Sequence, residues 1–112
     1  MSITPDPVLL FNYSAATLNS HRIHYDRPYA MQREGYPGLV VHGPLSATLL
    51  LQLLIENVPE AVVTDFSYTA VSPLFDTSGF RICGRVDGHT ATLWAVDNND
   101  TLSLTAKAEL FR

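Results

Sequence analysis

The 112-residue chain holds one cysteine, Cys83, so no disulfide can close within it. It has neither a C-x-x-C pair nor a Cys/His metal spacing. A small apolar strand residue in a reducing, cytoplasmic setting is the expectation for Cys83. Positive charge is scarce: seven Lys+Arg stand against eleven Asp+Glu, a net charge of −4. Without a basic run the composition argues against nucleic acid as a partner. An acidic chain also gains nothing at an anionic membrane surface. The opening "MSITPDPVLL" lacks a basic segment followed by an apolar run, so no signal peptide is expected. The longest apolar stretch, "LSATLLLQLLI", is too short to span a bilayer and contains Gln52. Repeats and low-complexity tracts are lacking as well. What remains is apolar for its size, 46% hydrophobic and 16% charged. A chain this short leaves much of its surface unburied when alone, so a covered interface is anticipated.

Hydrophobic periodicity divides the chain. Pro5 and Pro7 imply an extended start, and "VLLFNYSAATL", Val8 to Leu18, reads as a strand with β-branched and aromatic residues and no breaker. Gly35, Pro37, Gly38, Gly43 and Pro44 make the next region a loop around a short extended run, Leu39 to Val41. Pro44 suits the first turn of a helix. Leu45, Leu49, Leu53 and Leu50, Leu54 follow at helical spacing, while Ala47, Leu51 and Ile55 fill the opposite side. Gln52 and Glu56 form the only polar stripe, so this helix is expected to be buried nearly all round, ending before Pro59.

Beyond Pro59 the period becomes two. Phe66, Tyr68 and Ala70 alternate with Asp65, Ser67 and Thr69; Phe80, Ile82, Gly84 and Val86 share a face. "DGH" at Asp87–His89 marks a tight hairpin and "DNND" at Asp97–Asp100 a second turn. In the last segment Leu102, Leu104, Ala106, Ala108 and Leu110 face inward against Ser103, Thr105, Lys107 and Glu109. One apolar helix among antiparallel strands must be wrapped by them. The expectation is an α+β hot-dog fold, a single domain over residues 1–112, of the kind that pairs to join two sheets into one.

The chemistry is concentrated in "LNSHRIHYDRPYA", Leu18 to Ala30. His24 is suited to moving protons near neutral pH. Asn19 can hold water or a hydroxyl but cannot exchange protons there. In an extended segment His24 and Asp26 point to one side; in a turn His21 and His24 meet. General acid/base catalysis, a metal site from His21, His24 and Asp26, and activation of Ser14 or Ser20 as a nucleophile are the functional readings. A polar loop whose histidines satisfy backbone groups is the bland one. The metal reading lacks a known ligand spacing and the serine reading lacks a nucleophile elbow.

"GYPGLVVHGPL" is the second element. A helix starting at Gly43 presents unpaired N–H groups and a positive dipole end, which suits a carbonyl oxygen gaining charge. Gly43 lets a ligand approach the backbone. Tyr36, Val41 and His42 complete the expected substrate-binding group, with His42 hydrogen-bonded locally rather than catalytic. A base and a helix end aimed at a carbonyl are what enolate chemistry next to a thioester needs.

These stretches, "FNYSAATLNSHRIHYDRPYA" and "EGYPGLVVHGPLSATLL" with the later "SYTAVSPLF", resemble the MaoC-like dehydratase/hydratase family. The similarity runs from about Leu9 onward and is nearest the branch of mitochondrial-type 3-hydroxyacyl-thioester dehydratases and mesaconyl- or itaconyl-CoA hydratases. The resemblance implies (R)-specific-type hydration and dehydration of 2-enoyl and 3-hydroxyacyl thioesters of CoA or acyl-carrier protein. It implies His24 as base and the Gly43 N–H as oxyanion donor. It implies no metal, and no cofactor beyond the CoA or phosphopantetheine arm of the substrate. The wider family's catalytic Asp falls on Asn19 and its Asn on His21, so Asn19 positions water and His21 or His24 handles the leaving hydroxyl. Relatives of this branch often carry a further hot-dog half, which implies a homodimer or a separately encoded partner. Two other readings stay open: a thioester hydrolase drafting Asp26 or Glu34, and a non-catalytic subunit of a heterodimeric dehydratase.

Overall fold

A computed structural model describes residues 1–111; Arg112, inside the single-domain expectation, lies outside the described residues. A two-residue strand, β1 (Ser2–Ile3), opens the chain and is followed by a helix, α1 (Pro7–Ala16). Two short turns, Arg22–His24 and Tyr29–Arg33, precede the long helix α2 (Gly43–Asn57). Four strands complete the fold: β2 (Val62–Ala70), β3 (Phe80–Asp87), β4 (Thr90–Val96) and β5 (Leu102–Phe111). They form one antiparallel five-stranded sheet in the order β1-β3-β4-β5-β2. The sheet curls over α2, which is the hot-dog arrangement.

The helix meets the sheet by a division of sizes. Leu45, Leu50 and Leu54 face Ala91, Ala95, Ala106 and Ala108, all buried, with Ile82, Leu93, Leu104 and Leu110 between them. Small residues on the concave face let the leucines of α2 approach the strands closely. The two turns read from sequence are present. Gly88 takes φ +63° between paired Asp87 and Thr90, where a side chain would be strained. Asp97 Oδ1 accepts from the N–H groups of Asn99 and Thr101 at 2.8 and 2.9 Å.

Three expectations change. Val8 to Leu18 is not a strand but mostly helix α1, because Asp6 caps it: its carboxylate accepts from Leu9 N–H at 2.8 Å, with Pro7 at the first position. Leu10 and Ser14, four apart, are its buried stripe. Nor is α2 wrapped all round, since a single sheet covers one side and Ile55 is 53% exposed. The inward alternation also fades where cover ends: Tyr68 and Ala70 on β2, Val86 and Leu102 are exposed. β2 is the last strand of the sheet, and its outer edge is unpaired among the described residues.

The cap on α1 gives a direct check. Asp6→Ala should lower unfolding stability by about 1 kcal/mol, the usual cost of an N-cap, read as a shift in the urea midpoint. An unchanged midpoint would argue against a capped α1.

Candidate active site

The motif segment folds as a knot of short-range hydrogen bonds. Leu18 takes φ +55° and turns the chain out of α1, and Asn19 N–H donates back to Ser14 O at 2.8 Å. Asn19 Oδ1 then accepts from His21 N–H at 3.0 Å, starting the tight turn Arg22–His24. Arg22 pairs with Asp26, whose other oxygen accepts from Tyr29 N–H at 3.2 Å. The turn brings the rings of His21 and His24 to 5.9 Å, edge to face. His21 and Asn19 stay on the exposed side, whereas His24 is buried.

An extended run, Leu39 to Val41, clamps this turn to the body. Val40 N–H donates to Ile23 O and Val41 N–H to Leu74 O, at 2.9 and 2.8 Å. Asp76 returns its own N–H to Leu39 O and accepts Leu39 N–H on Oδ1. The same buried carboxylate forms a two-point ion pair with Arg27 of the motif. Gly38 is required beside it, because a Cβ there would lie 2.7 Å from Asp76 Oδ1.

The clamp decides the state of His24. Its Nδ1 lies 2.7 Å from Val40 O, and a carbonyl can only accept, so Nδ1 carries the proton. Nε2 of the neutral ring is therefore the free basic nitrogen. Burial pushes the His24 pKa down, the Val40 carbonyl pulls it partly back, and nearby His21 lowers it further. The ring is thus neutral and basic at physiological pH.

His42 lies flat against it. The two imidazoles stack at 3.7 Å between centroids and 16° between planes. His42 is 1% exposed, and its pKa is lowered to about 4 by burial, with His24 adding to the effect. Its hydrogen bond is not local, as sequence suggested. Nε2 sits 2.7 Å from Ser14 Oγ on α1, across 28 residues of chain. Tyr13 presses its ring edgewise on the other side at 4.7 Å.

A cavity of about 320 Å³ opens beside this stack, lined by His24, Val40, Val41, Gly43, Ser46 and, from the β2–β3 connection and β5, apolar and serine residues. Gly43 brings the start of α2 to its wall. The N–H of Ser46 is taken by His42 O, and Pro44 has none. Gly43 and Leu45 are therefore the first-turn residues left with an N–H to offer. Apart from its chain neighbours and the backbone of the same helix turn, no protein atom lies within 4 Å of where a Gly43 Cβ would stand, so the backbone there is open to a ligand.

Of the residues expected from sequence, His24, Val41 and Gly43 share this cavity, and His42 stands behind His24. Asn19, His21 and Tyr36 do not line it. Tyr36 instead packs on Phe75, centroids 5.6 Å apart. Asp26 and Glu34 are engaged by Arg22 and by the Tyr29 hydroxyl, and no carboxylate of the described residues lines the cavity. Among the described residues, no three His, Cys, Asp or Glu side chains come together to hold a metal ion. Ser14 is 4% exposed and tied to His42, out of reach of a substrate in the cavity.

Sequence reasoning missed Ser46 and the anchoring role of Ser14. Ser46 stands three residues after Gly43, so a helical reading of "GPLS" carried a usable signal. Ser14 was weighed only as a nucleophile because α1 was read as extended; the Asp6–Pro7 helix start would have set it on one stripe with Leu10.

Burial of His42 makes stability acid-sensitive. A histidine with its folded pKa depressed from 6.5 to about 4 contributes stability that is complete above about pH 6.5. That contribution is lost as pH falls towards 4, and amounts to at most ~3 kcal/mol at 1.36 kcal/mol per unit. The urea midpoint of the wild type should fall across this window. His42→Phe, which cannot titrate, should flatten that part of the curve; an equal slope in both proteins would contradict the burial.

The model of the family described as hydroxyacyl-thioester dehydratase type 2 matches residues 1–76. Mesaconyl-C(4)-CoA hydratase of Chloroflexus aurantiacus is 49% identical over 109 residues, 97% of this chain and 39% of that protein. The mitochondrial hydroxyacyl-thioester dehydratase type 2 of Schizosaccharomyces pombe is 34% identical over 113 residues, 96% of this chain and 37% of that protein. The chain thus spans about two fifths of the length of these relatives. Among solved structures, the (R)-hydratase from A. caviae involved in PHA biosynthesis superposes with a TM-score of 0.82 at 21% identity, covering 98% of this chain and 89% of that one. The ChsH1-ChsH2 complex from Mycobacterium tuberculosis gives 0.81 at 17% identity, with 98% and 90% covered. At these identities the likeness is one of fold, and it is the hot-dog fold. With most of its length matched by the family model and 49% identity along nearly all of it to one relative, the chain belongs to the hydroxyacyl-thioester dehydratase type 2 family.

Proposed function

We propose that this chain carries the catalytic site of a hydro-lyase that interconverts 3-hydroxyacyl and 2-enoyl thioesters with (R)-type stereochemistry. The observation that carries the reading is the locked tautomer of His24. Its Nδ1–H is held by Val40 O, which leaves a basic Nε2 in the cavity that Gly43 borders. In dehydration, His24 Nε2 takes the proton from the carbon next to the thioester. Charge moves onto the thioester oxygen, held by the Gly43 and Leu45 N–H groups at the positive end of α2. The C–O bond at the next carbon then breaks, and the proton on His24 leaves with the hydroxyl as water. Hydration runs the same steps backwards.

Holding the departing hydroxyl falls to Ser46, which is 2% exposed and lines the same cavity. Asn19 acts one step away, by shaping the turn that presents His24. His21, edge-on to His24, is a second carrier for the departing proton. CoA or carrier-protein thioesters are the substrates, with no cofactor beyond the arm they carry.

The open edge of β2 supports pairing with a second hot-dog half. No helix of the described residues is long and apolar enough to cross a membrane. The cytoplasm suits the single free Cys83.

A thioester hydrolase would need a carboxylate in the cavity, and Asp26 and Glu34 are elsewhere. The second reading is a non-catalytic partner subunit, favoured by an amide at Asn19 where the wider family has a carboxylate. Enoyl absorbance during hydration of crotonyl-CoA by the purified assembly separates these readings. His24→Gln should cut kcat/KM by roughly 100-fold or more with its melting temperature little changed. Undiminished turnover in that variant would remove His24 as the base. Release of free thiol in place of enoyl loss would indicate hydrolysis, and neither activity would indicate a non-catalytic subunit.

A further inference from the structure

His42 and Ser14 do not touch the cavity, yet they are built around its base. The parallel stack with His24, 3.7 Å between centroids, is close for two imidazoles that could both become charged. Only one of them does. His42 is buried, and its pKa is lowered to about 4 by that burial, with His24 adding to the effect. Its ring therefore offers an uncharged π face to His24 in either state. When His24 accepts a proton, a cation lies over that face, an attractive arrangement.

Ser14 determines how the face is held. A histidine ring nitrogen with no partner is cheaper as a bare lone pair than as an N–H, since orphaned buried donors are the rarer event. His42 Nδ1 is buried without a partner among the described residues. The economical tautomer thus has Nε2–H donating to Ser14 Oγ at 2.7 Å, with Nδ1 bare. That one bond, with Tyr13 edgewise against the ring, fixes the plane of His42 from α1.

We propose that Ser14 and His42 are positioning residues: α1 holds His42 flat beneath His24, so that the base keeps its orientation and its protonated form is supported during proton transfer. The proposal rests on His24 as the base for its effect on turnover. The support of protonated His24 is separable, because it can be read without any substrate.

Few other charges reach the pair. His21 faces His24 at 5.9 Å from its own turn, and Tyr13 of α1 faces His42. The first turn of α2 and the residues of β5 and the β2–β3 connection that line the cavity bring no ionisable side chain.

The experiment is a proton-NMR titration of the His24 ring in the intact protein, paired with kcat and KM against pH for crotonyl-CoA hydration. His42→Leu removes the π face and should lower the His24 midpoint by about half a pH unit. The acid limb of kcat should move with it. His42→Phe keeps a face and should leave the midpoint within about 0.2 unit of wild type. Ser14→Ala frees the platform and should reduce kcat severalfold at nearly constant KM. A purely structural role would lower stability in these variants while leaving the His24 midpoint in place. An unmoved midpoint in His42→Leu overturns the proposal. Should that variant not fold, Ser14→Ala with both kcat and midpoint unchanged overturns it. Loss of His24 as the base would show in His24→Gln turnover, whereas the midpoint shift would still report the platform.

Discussion

Three residues of extended backbone, Leu39 to Val41, hold the site together. Their peptide groups bond outward to Ile23 on one side and to Leu74 and Asp76 on the other. Val40 O is left for the His24 ring. A backbone carbonyl is an acceptor without a titratable proton, so it fixes a tautomer more firmly than a hydroxyl or water would. The same run leads directly into His42 and the start of α2. His24, its stacking partner and the helix end are thereby tied to a single short segment. The Arg27–Asp76 pair binds that segment again from the motif side, and its carboxylate is buried where water competes little.

The electrostatics follow from burial. Two imidazoles packed face to face in the interior cannot both carry charge, and the one without a carbonyl partner stays neutral to lower pH. Val40, Val41, Leu74 and Leu104 give the pocket apolar walls, which strengthen the dipole at the α2 N-terminus. Pro44 narrows that end to a small number of donors. One wall of the assembly is still open, since β2 ends the sheet and Ile55 of α2 stands half uncovered. The second hot-dog half proposed above would cover such an edge.

Much of this was legible in the residue pattern. Alternation along β3 and β5 and the turns at Gly88 and Asp97 follow local rules that tertiary contacts reinforced. The leucine spacing and Pro44 located α2. α1 was misread because "VLLFNY" has no breaker and suits either period over so short a span; the Asp6–Pro7 cap, which was in plain sight, settles it. Alternation failed at Tyr68, Ala70 and Val86 for a different reason. A face is buried only where something covers it, and strand ends and edges here have no cover within the chain.

By itself the sequence determined the chemistry available: histidines in a tight polar motif, a glycine–proline helix start, and a helix apolar enough to need a sheet around it. These depend on residue type and near-neighbour spacing, which the chain carries wherever it folds. Tertiary structure alone decided which groups meet. Ser14 reaches His42 across 28 residues, the His24 ring finds Val40 O across 16, and Asn19, two positions from His21, spends its side-chain oxygen on the turn instead of the pocket. Long-range hydrogen bonds are set by how elements pack, and no local pattern specifies the direction a side chain faces once the turn beneath it has closed.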